Sequence, residues 1–210
     1  MTATAPSDVQ PTERAANASN RVPVRTASAV WILIAGVVGL AAALTLTVEK
    51  IEILINPAYV PSCSINPVLS CGSVMVAAQA SAFGFRNPLI CIVAFTVVVV
   101  TGVLAVAKIG LPRWYWAGLA TGTALGVVFI HWLIFQSLYR IGALCPYCMA
   151  VWAVTIPLFV VVASIALQPL RSNVVARVLY TWRWSLVALW FTALILMILA
   201  RFWNYWSTLL

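Results

Sequence analysis

The residues best suited to chemistry in this chain are four of its five cysteines, which form two pairs of different spacing. Cys145 and Cys148 stand three apart, as Cys-Pro-Tyr-Cys, where a long apolar run resumes after Arg140. Pro146 lacks an N–H and has a fixed φ, so it suits the first turn of a helix and makes Cys145 an N-cap or N1 residue. The helix dipole and unpaired N–H groups favour a thiolate there. This spacing predicts a reactive dithiol, with Cys148 one turn deeper than Cys145.

The second pair, Cys63 and Cys71, lies eight residues apart in a segment that also contains Pro61 and Pro67. If the segment were helical, its two Cα atoms would be about 12 Å apart, beyond the roughly 7 Å reach of a disulfide. The prolines argue against such a helix, so a disulfide within a loop is feasible. A pair carried on a loop can also move, as a thiol shuttle requires.

Composition determines the kind of scaffold that positions these cysteines. Hydrophobic residues make up 64% of the chain, charged residues 8%, and the mean hydropathy is +1.05, which excludes a soluble domain. A helix needs about twenty apolar residues to cross a bilayer core of about 30 Å. The chain is therefore predicted to be an all-α polytopic membrane protein with five spans, at residues 29–48, 87–108, 114–139, 144–167 and 185–202.

The same pattern divides the chain into three predicted parts. Residues 1–27 are predicted to be a disordered tail, residues 28–168 a four-helix catalytic domain with an outer loop at 49–86, and residues 169–210 a fifth transmembrane helix with a short outer tail. Within the loop, residues 72–83 have helical character but are too short to span, so we expect a half-helix lying over the bundle.

The basic residues predict the orientation of the chain. The net charge is +8, but the basic residues are scattered between apolar runs, which fits topology signals and anionic-lipid contacts better than nucleic-acid binding. With the N-terminus in the cytoplasm, the inner connections would hold Arg14, Arg21, Arg25, Lys108, Arg113, Arg171, Arg177 and Arg183, against Lys50, Arg86, Arg140 and Arg201 outside. The positive-inside rule favours this arrangement, which places all four paired cysteines on the outer face, where disulfides persist.

Several other residues invite a structural and a functional interpretation. Gly118, Gly122 and Gly126 recur every four residues and predict a face for close helix packing. His131 is an intramembrane ionisable residue and hence a proton-handling candidate, although a neutral ring bonded to a neighbouring helix is the simpler expectation. Tyr139 and Tyr147 are further proton candidates, and Cys91 is expected to be a packing residue.

The order and spacing of these motifs resemble the vitamin K epoxide reductase family and its bacterial homologues. The resemblance rests on Cys63-Ser-Ile-Asn-Pro-Val-Leu-Ser-Cys71, on Asn87 before the second span, and on Cys145-Pro-Tyr-Cys148. It implies a four-helix bundle around a quinone, capped on the outer side by the loop and half-helix. It also implies a relay in which Cys63 exchanges with a thioredoxin-fold partner, Cys71 passes electrons to Cys145, and Cys148 passes them to the quinone.

The resemblance further implies a bacterial plasma-membrane enzyme that reduces a quinone, expected to be menaquinone, and reoxidises a DsbA-like protein. Asn87 would hydrogen-bond a quinone carbonyl, or would simply cap a helix before Pro88. Trp152 replaces a tyrosine of the vertebrate enzyme and is expected to line the cofactor site. Because the sequence ends at Leu210, without the thioredoxin domain that some relatives carry, the thiol donor is expected to be a separate protein.

Two alternatives remain open at this point. The first is reduction of vitamin K epoxide by the same cysteines, which the loss of the tyrosine phenol at position 152 disfavours. The second belongs to another class, a membrane metal carrier that uses paired thiols. A native disulfide would argue against that carrier, and no resident metal is expected.

Overall fold

Five long helices form the body of the protein in the computed structural model, which describes residues 21–56, 58–76, 87–168 and 174–207. They are α1 (Thr26–Ile55), α3 (Asn87–Val106), α4 (Arg113–Gln136), α5 (Pro146–Ala166) and α6 (Val174–Arg201). All five are long and apolar enough to cross a membrane, which confirms the predicted all-α polytopic class. Such runs become helices in lipid because every backbone group must find a hydrogen bond within its own segment.

Short elements lie between the long helices or flank them within the described part of the chain. These are β1 (Arg21–Val22), α2 (Cys71–Val76), β2 (Leu111–Pro112), a π-helical turn (Ser137–Ile141) and α7 (Trp203–Trp206). β1 pairs with β2 in antiparallel register, with Arg21 opposite Pro112. This pairing places the segment before α1 and the α3–α4 connection at the same end of the bundle.

Several predicted boundaries need correction. The outer loop was predicted to begin at Glu49, but α1 continues to Ile55, so residues 49–55 are helical. At about 1.5 Å per residue, the 30 residues of α1 reach about 45 Å, longer than a bilayer core, so this extra length has room to project beyond the lipid. The predicted disordered tail includes residues 21–22 and 26–27, which are a strand and the start of α1; residues 1–20 lie outside the described chain. The half-helix is present as α2 up to Val76, and the remainder of its predicted range is not described.

The core of the bundle is built on α1, which packs against α3 on one side and α5 on another, while α4 packs against α5. The α1–α3 contact is very close, because a Cβ added to Gly39 would lie 2.2 Å from the Phe95 ring and one added to Gly102 would lie 2.6 Å from Cα of Leu33. Small residues allow helix backbones in lipid to approach in this way, and the gain is van der Waals contact.

The glycine repeat of α4 was predicted to provide such a face, and that prediction is wrong. A Cβ added to Gly118 or Gly122 would meet no described atom within 4 Å, and one at Gly126 would meet only Cγ2 of Thr155, at 3.8 Å. These glycines instead line a cavity of about 470 Å³ between α3, α4 and α5. The spacing correctly indicated a smooth helix face but not which neighbour fills it.

In the described part of the chain, polar contacts and light packing against α5 join the fifth long helix to the bundle. The indole N–H of Trp190 donates to Nε2 of His131 at 2.9 Å, and Nε of Arg201 donates to the carbonyl of Leu138 at 3.0 Å. Nδ1 of His131 lies 2.8 Å from the carbonyl of Val127, which can only accept, so the hydrogen is on Nδ1 and the ring is neutral. The expectation of a neutral histidine bonded to a neighbouring helix is confirmed.

Two alanine variants test the assignment of the packing face. Gly102→Ala is expected to lower the free energy of unfolding by about 1–3 kcal/mol, because the new methyl group meets the backbone of α1. Gly118→Ala, which adds the same methyl group into open space, is expected to change it by no more than about 0.5 kcal/mol. Unfolding of the detergent-solubilised proteins in sodium dodecyl sulfate, followed by circular dichroism, measures both; equal losses would contradict the assignment.

Candidate thiol–disulfide site

The Cys145–Cys148 pair lies where α4 turns back into α5. The π-helical turn ends at Gly142, whose φ of +70° lies in the left-handed region that other residues rarely adopt. The chain can therefore reverse within three residues, and Pro146 starts α5 with Cys145 as its N-cap, as predicted. Cys145 is 1% exposed, and Cys148, about one turn into α5, is half-buried.

The loop pair is present as a disulfide between Cys63 and Cys71, whose Cα atoms are 5.6 Å apart. Between them the chain turns at Asn66, whose side-chain oxygen accepts hydrogen bonds from the N–H groups of Val68 and Leu69, at 3.0 and 2.7 Å. This Asx-type turn brings the two cysteines together and is typical of asparagine. The sequence-based expectation that these two cysteines can join within the loop is confirmed.

Main-chain hydrogen bonds hold the loop against the start of α5. The N–H of Ser70 donates to the carbonyl of Leu144 at 2.9 Å, and the N–H of Leu144 donates to the carbonyl of Val68 at 2.7 Å. This short parallel bridge lies next to Cys71 on the loop and next to Cys145 at the start of α5. As a result, Sγ of Cys71 lies 3.1 Å from Sγ of Cys145.

The structure shows one oxidation state of the site. Cys63 and Cys71 are joined, and Cys145, Cys148 and Cys91 are free thiols. Sulfur atoms at this separation can exchange a disulfide, because a thiolate must reach one sulfur of the bond that it breaks. The geometry therefore connects the loop pair to the helix pair through Cys71 and Cys145.

The electrostatic surroundings favour a thiolate at Cys145. Its interaction with the Cys148 thiol is the main cause that lowers the pKa of Cys145, with a smaller contribution from the backbone N–H groups of Cys148 and Tyr147; burial and the Glu49 carboxylate oppose the shift. The Cys145 sulfur makes no capping hydrogen bond of standard geometry, so the N–H groups act as nearby dipoles. The lowered pKa suits an exchanging thiol.

A small cavity of about 80 Å³ lies beside the dithiol, lined by Cys145, Cys148 and Trp152 among mostly apolar side chains. Trp152 is 2% exposed and forms part of the buried wall of this cavity. Cys91 and Val151 line both this cavity and the larger one of about 470 Å³. The larger cavity falls within the usual range for small-molecule sites, and the smaller one alone does not.

One polar group in the small cavity lacks a partner. The side-chain oxygen of Gln136 is buried and has no hydrogen-bond partner among the described residues, although such groups are normally satisfied. An apolar space with an unpaired amide and two thiols fits a ligand that is apolar in its body and polar at its edge, as a quinone is. Cys91 lines this space, so packing is not its only structural context.

The remaining predicted residues are placed as follows. Asn87 is the first residue of α3, but its side chain lies outside the described part of the structure. Tyr139 is 52% exposed in the π-helical turn and contacts the Phe135 ring. Tyr147 packs against the cluster that contains Cys63, Cys71 and Cys145.

Two residues near the site were not predicted, Gln136 and Glu49. Glu49 is 6% exposed and accepts hydrogen bonds from Tyr59 and Ser62 in the loop. A carboxylate at the end of an apolar run looks like an ordinary helix end, so the sequence pattern gave no reason to bury it. Gln136 could have been found as an amide among apolar residues nine positions before Cys145.

The sulfur geometry also bears on the metal-carrier alternative. The sulfur atoms of Cys63, Cys71 and Cys145 lie within 4.8 Å of one another. However, metal binding requires thiolates, and two of these sulfurs are bonded to each other. The native disulfide argues against a carrier.

Membrane-length helices and a disulfide beside a second, buried dithiol define a polytopic membrane protein with a thiol–disulfide centre. The model of the vitamin K epoxide reductase family matches residues 30–163, more than half of the chain, and this protein belongs to that family. The resemblance inferred from the cysteine motifs is thereby confirmed. Membership implies an oxidoreductase, and members of the family generally use quinone-type cofactors. No curated protein matches the chain at a significant level.

The pKa of Cys145 provides a test of the site's electrostatics. Cys148→Ala should raise that pKa, because the main stabiliser of the thiolate is lost. Because the folded-state pKa of Cys145 is lowered, its thiolate adds stability above the unfolded-state pKa, and this contribution is lost as the pH falls through the folded-state value. The ultraviolet absorbance of the thiolate, measured against pH relative to Cys145→Ala, reports the midpoint. A wild-type midpoint at the usual thiol value, or one unchanged by Cys148→Ala, would contradict this account.

Proposed function

We propose that this protein is a thiol:quinone oxidoreductase that reoxidises a separate thioredoxin-fold, DsbA-like protein and so supports disulfide formation. The observation that carries the proposal is the 3.1 Å separation between the sulfur atoms of Cys71 and Cys145. On one side of this contact lies the loop disulfide, and on the other lies a cavity lined by Cys148. In this proposal the two cysteine pairs carry electrons from the outer loop to the cavity beside Cys148.

Oxidation of the partner protein uses the loop disulfide. A partner thiolate attacks the sulfur of Cys63, the Cys63–Cys71 bond breaks, and Cys71 leaves as a thiolate that takes up a proton. The second partner thiolate then attacks the mixed disulfide, which releases the oxidised partner and leaves Cys63 reduced. Two electrons and two protons have then moved from the partner to the loop pair.

Internal transfer regenerates the loop disulfide. When Cys145 and Cys148 are joined, the Cys71 thiolate attacks Cys145 and Cys148 leaves; Cys63 then attacks Cys71 and frees Cys145. The product has a Cys63–Cys71 disulfide and free thiols at 145 and 148, which is the state in the structure. The lowered pKa of Cys145 makes it a good leaving group in the second exchange.

The final acceptor in this proposal is a membrane quinone, with menaquinone as the expected type. A bound quinone would accept two electrons and two protons as Cys145 and Cys148 return to a disulfide. Cys148, Trp152 and Gln136 would hold its ring, and Asn87 at the start of α3 would contact a carbonyl oxygen. The two thiols supply both protons, and His131 is not needed because both of its ring nitrogens are already bonded.

The energetics favour a quinone over a soluble thiol couple. A DsbA-type partner has a potential near −120 mV, so reoxidation by a couple near −200 mV is uphill by about 4 kcal/mol for two electrons. A quinone pool that respiration keeps oxidised removes this uphill step.

We further propose location in a bacterial plasma membrane with the N-terminus in the cytoplasm and the cysteines outside. The distribution of basic residues supports this orientation.

The family match also supports a second candidate, reduction of vitamin K epoxide by the same cysteines. At position 152, one turn from Cys148, the side chain is an indole, not a phenol. Turnover assays with epoxide and quinone as competing acceptors separate the two activities. Consumption of epoxide at a rate equal to that of quinone would favour the second candidate.

Cysteine substitutions test the relay. Cys145→Ser and Cys148→Ser are expected to abolish quinone reduction, whereas Cys63→Ser and Cys71→Ser should block oxidation of the protein partner but largely preserve oxidation of dithiothreitol. The reason is that a small dithiol can reach the helix pair directly and a folded protein cannot. Absorbance of the quinone follows each reaction, with Thr121→Val, exposed on α4 and outside both cavities, as the control. If dithiothreitol were oxidised at an undiminished rate without quinone, the proposal would fail.

Gln136 provides a binding test that does not depend on turnover. The test uses a variant that keeps Cys91, which lines both cavities, and has serine at the other four cysteines. In this variant, bound 2,3-dimethyl-naphthoquinone should slow maleimide labelling of Cys91. Gln136→Leu should raise the quinone concentration needed by about tenfold, equivalent to about 1.4 kcal/mol for a lost hydrogen bond. Thr121→Val, exposed on the same helix, is the control. Protection unaffected by Gln136→Leu would exclude this residue from the site.

A further inference from the structure

In the described part of the chain, a buried carboxylate holds the loop segment that directly precedes Cys63. Glu49, near the outer end of α1, is 6% exposed. Its Oε2 accepts hydrogen bonds from the Tyr59 hydroxyl at 3.0 Å and from the Ser62 N–H at 3.3 Å, and its Oε1 accepts one from the Ser62 hydroxyl. All three donors come from residues 59–62, directly before Cys63. The hydrogen bond to Glu49 is also the main reason that the pKa of Tyr59 is raised, so the phenol stays a donor.

The Cys71 end of the same loop is held in a different way. Main-chain hydrogen bonds join Val68 and Ser70 to Leu144, and the Lys50 ammonium donates to the carbonyl of Met75 at the end of α2. These contacts do not involve Glu49. The disulfide and a hydrogen bond from the Gly72 N–H to Oγ of Ser64, at 3.3 Å, keep Cys63 beside Cys71. Residues 59–62 can therefore leave Glu49 and uncover Cys63 while Cys71 keeps its position beside Cys145.

Movement of the Cys63 end is required by the exposure of its sulfur. Cys63 is 5% exposed and Cys71 is fully buried, so a folded protein cannot bring a thiolate to either sulfur in this arrangement. Disulfide exchange needs direct access of the attacking thiolate to the sulfur it attacks. The structure is thus closed to a protein partner, although it is arranged for internal transfer.

We propose that Glu49 is a positioning residue that keeps the Cys63 end of the loop closed, and that a thiol-bearing protein partner reaches Cys63 only when Tyr59 and Ser62 leave this carboxylate. The inference rests on the proposed function for the identity of the partner, but closure of the loop by Glu49 can be measured without it. In the open state the partner thiolate attacks Cys63 and Cys71 leaves as a thiolate, while Cys71 stays close to Cys145 for the next exchange.

Accessibility of Cys63 gives the direct test. In full-length protein carrying Cys71→Ala, Cys63 is a free thiol, and its labelling by a membrane-impermeant maleimide measures how often the loop opens. Glu49→Ala is expected to raise the labelling rate by about tenfold or more, since the three hydrogen bonds that hold residues 59–62 are lost. Glu49→Gln, whose amide can still accept from the loop, should restore much of the protection.

Glu52→Ala is the matched control. It removes a carboxylate from the same helix, one turn further on, but Glu52 is exposed. It should leave the labelling rate within about twofold of the parent protein. Equal acceleration by Glu49→Ala and Glu52→Ala would show a general charge effect and overturn the proposal.

Hydrogen exchange in the protein with its disulfide intact covers the case in which Cys71→Ala fails to fold. Glu49→Ala should speed exchange at residues 59–64 by about tenfold and leave the Ser70 and Leu144 amides unchanged. Unchanged exchange at residues 59–64 would overturn the proposal, as would uniform acceleration of both ends. Neither readout involves quinone or a thiol substrate, so failure of the proposed oxidoreductase activity would leave these results interpretable.

Discussion

The contact on which the site depends is the approach of two sulfur atoms, Cys71 and Cys145, to 3.1 Å. Neither cysteine creates this contact alone. It follows from the parallel bridge that joins Val68 and Ser70 to Leu144, because each bridging residue stands within three positions of a cysteine in sequence. A backbone bridge is well suited to this task, since its hydrogen bonds involve no sulfur atom. The loop and the bundle are therefore held together by contacts other than those that react.

The bilayer explains why most polar side chains within the described spans are already hydrogen-bonded. Within the spans, threonine hydroxyls mostly bond to their own helix, as Thr155 does to Val151, and the sole histidine is satisfied on both nitrogens. A polar atom that remains unpaired in such a setting is costly, and Gln136 is one beside the dithiol. The cavity is thus polar at the edge near sulfur and apolar elsewhere. Such a division fits the proposed transfer of electrons from the buried dithiol to a lipid-soluble acceptor.

Sequence patterns predicted the five helices and the two cysteine pairs because both depend on local signals. Apolar length determines a span, and Cys145-Pro146 places a cap whatever surrounds it. Contacts between residues distant in sequence could not be predicted from such local signals. The glycines of α4 have the spacing of a packing face, yet the close contact is made by Gly39 and Gly102, because the choice depends on which helices become neighbours. Likewise, Glu49 looked like the start of a loop, and only the return of residues 59–62 makes it a buried acceptor.

Glu49 also bears on the chemistry of the dithiol, in a direction opposed to its proposed mechanical role. Its negative charge raises the pKa of Cys145, as does burial, whereas the Cys148 thiol and the nearby N–H groups lower it, and the lowering dominates. A neutral amide at position 49 could accept the same hydrogen bonds without raising the pKa of Cys145. Because the carboxylate does raise it, the Cys145 thiolate depends more strongly on the Cys148 thiol. In the proposed relay, Cys148 leaves as a thiolate in the first internal exchange and then takes up a proton. Its S–H can then stabilise the Cys145 thiolate that leaves in the second exchange, against the opposing charge of Glu49, so the state of Cys148 controls how readily Cys145 leaves.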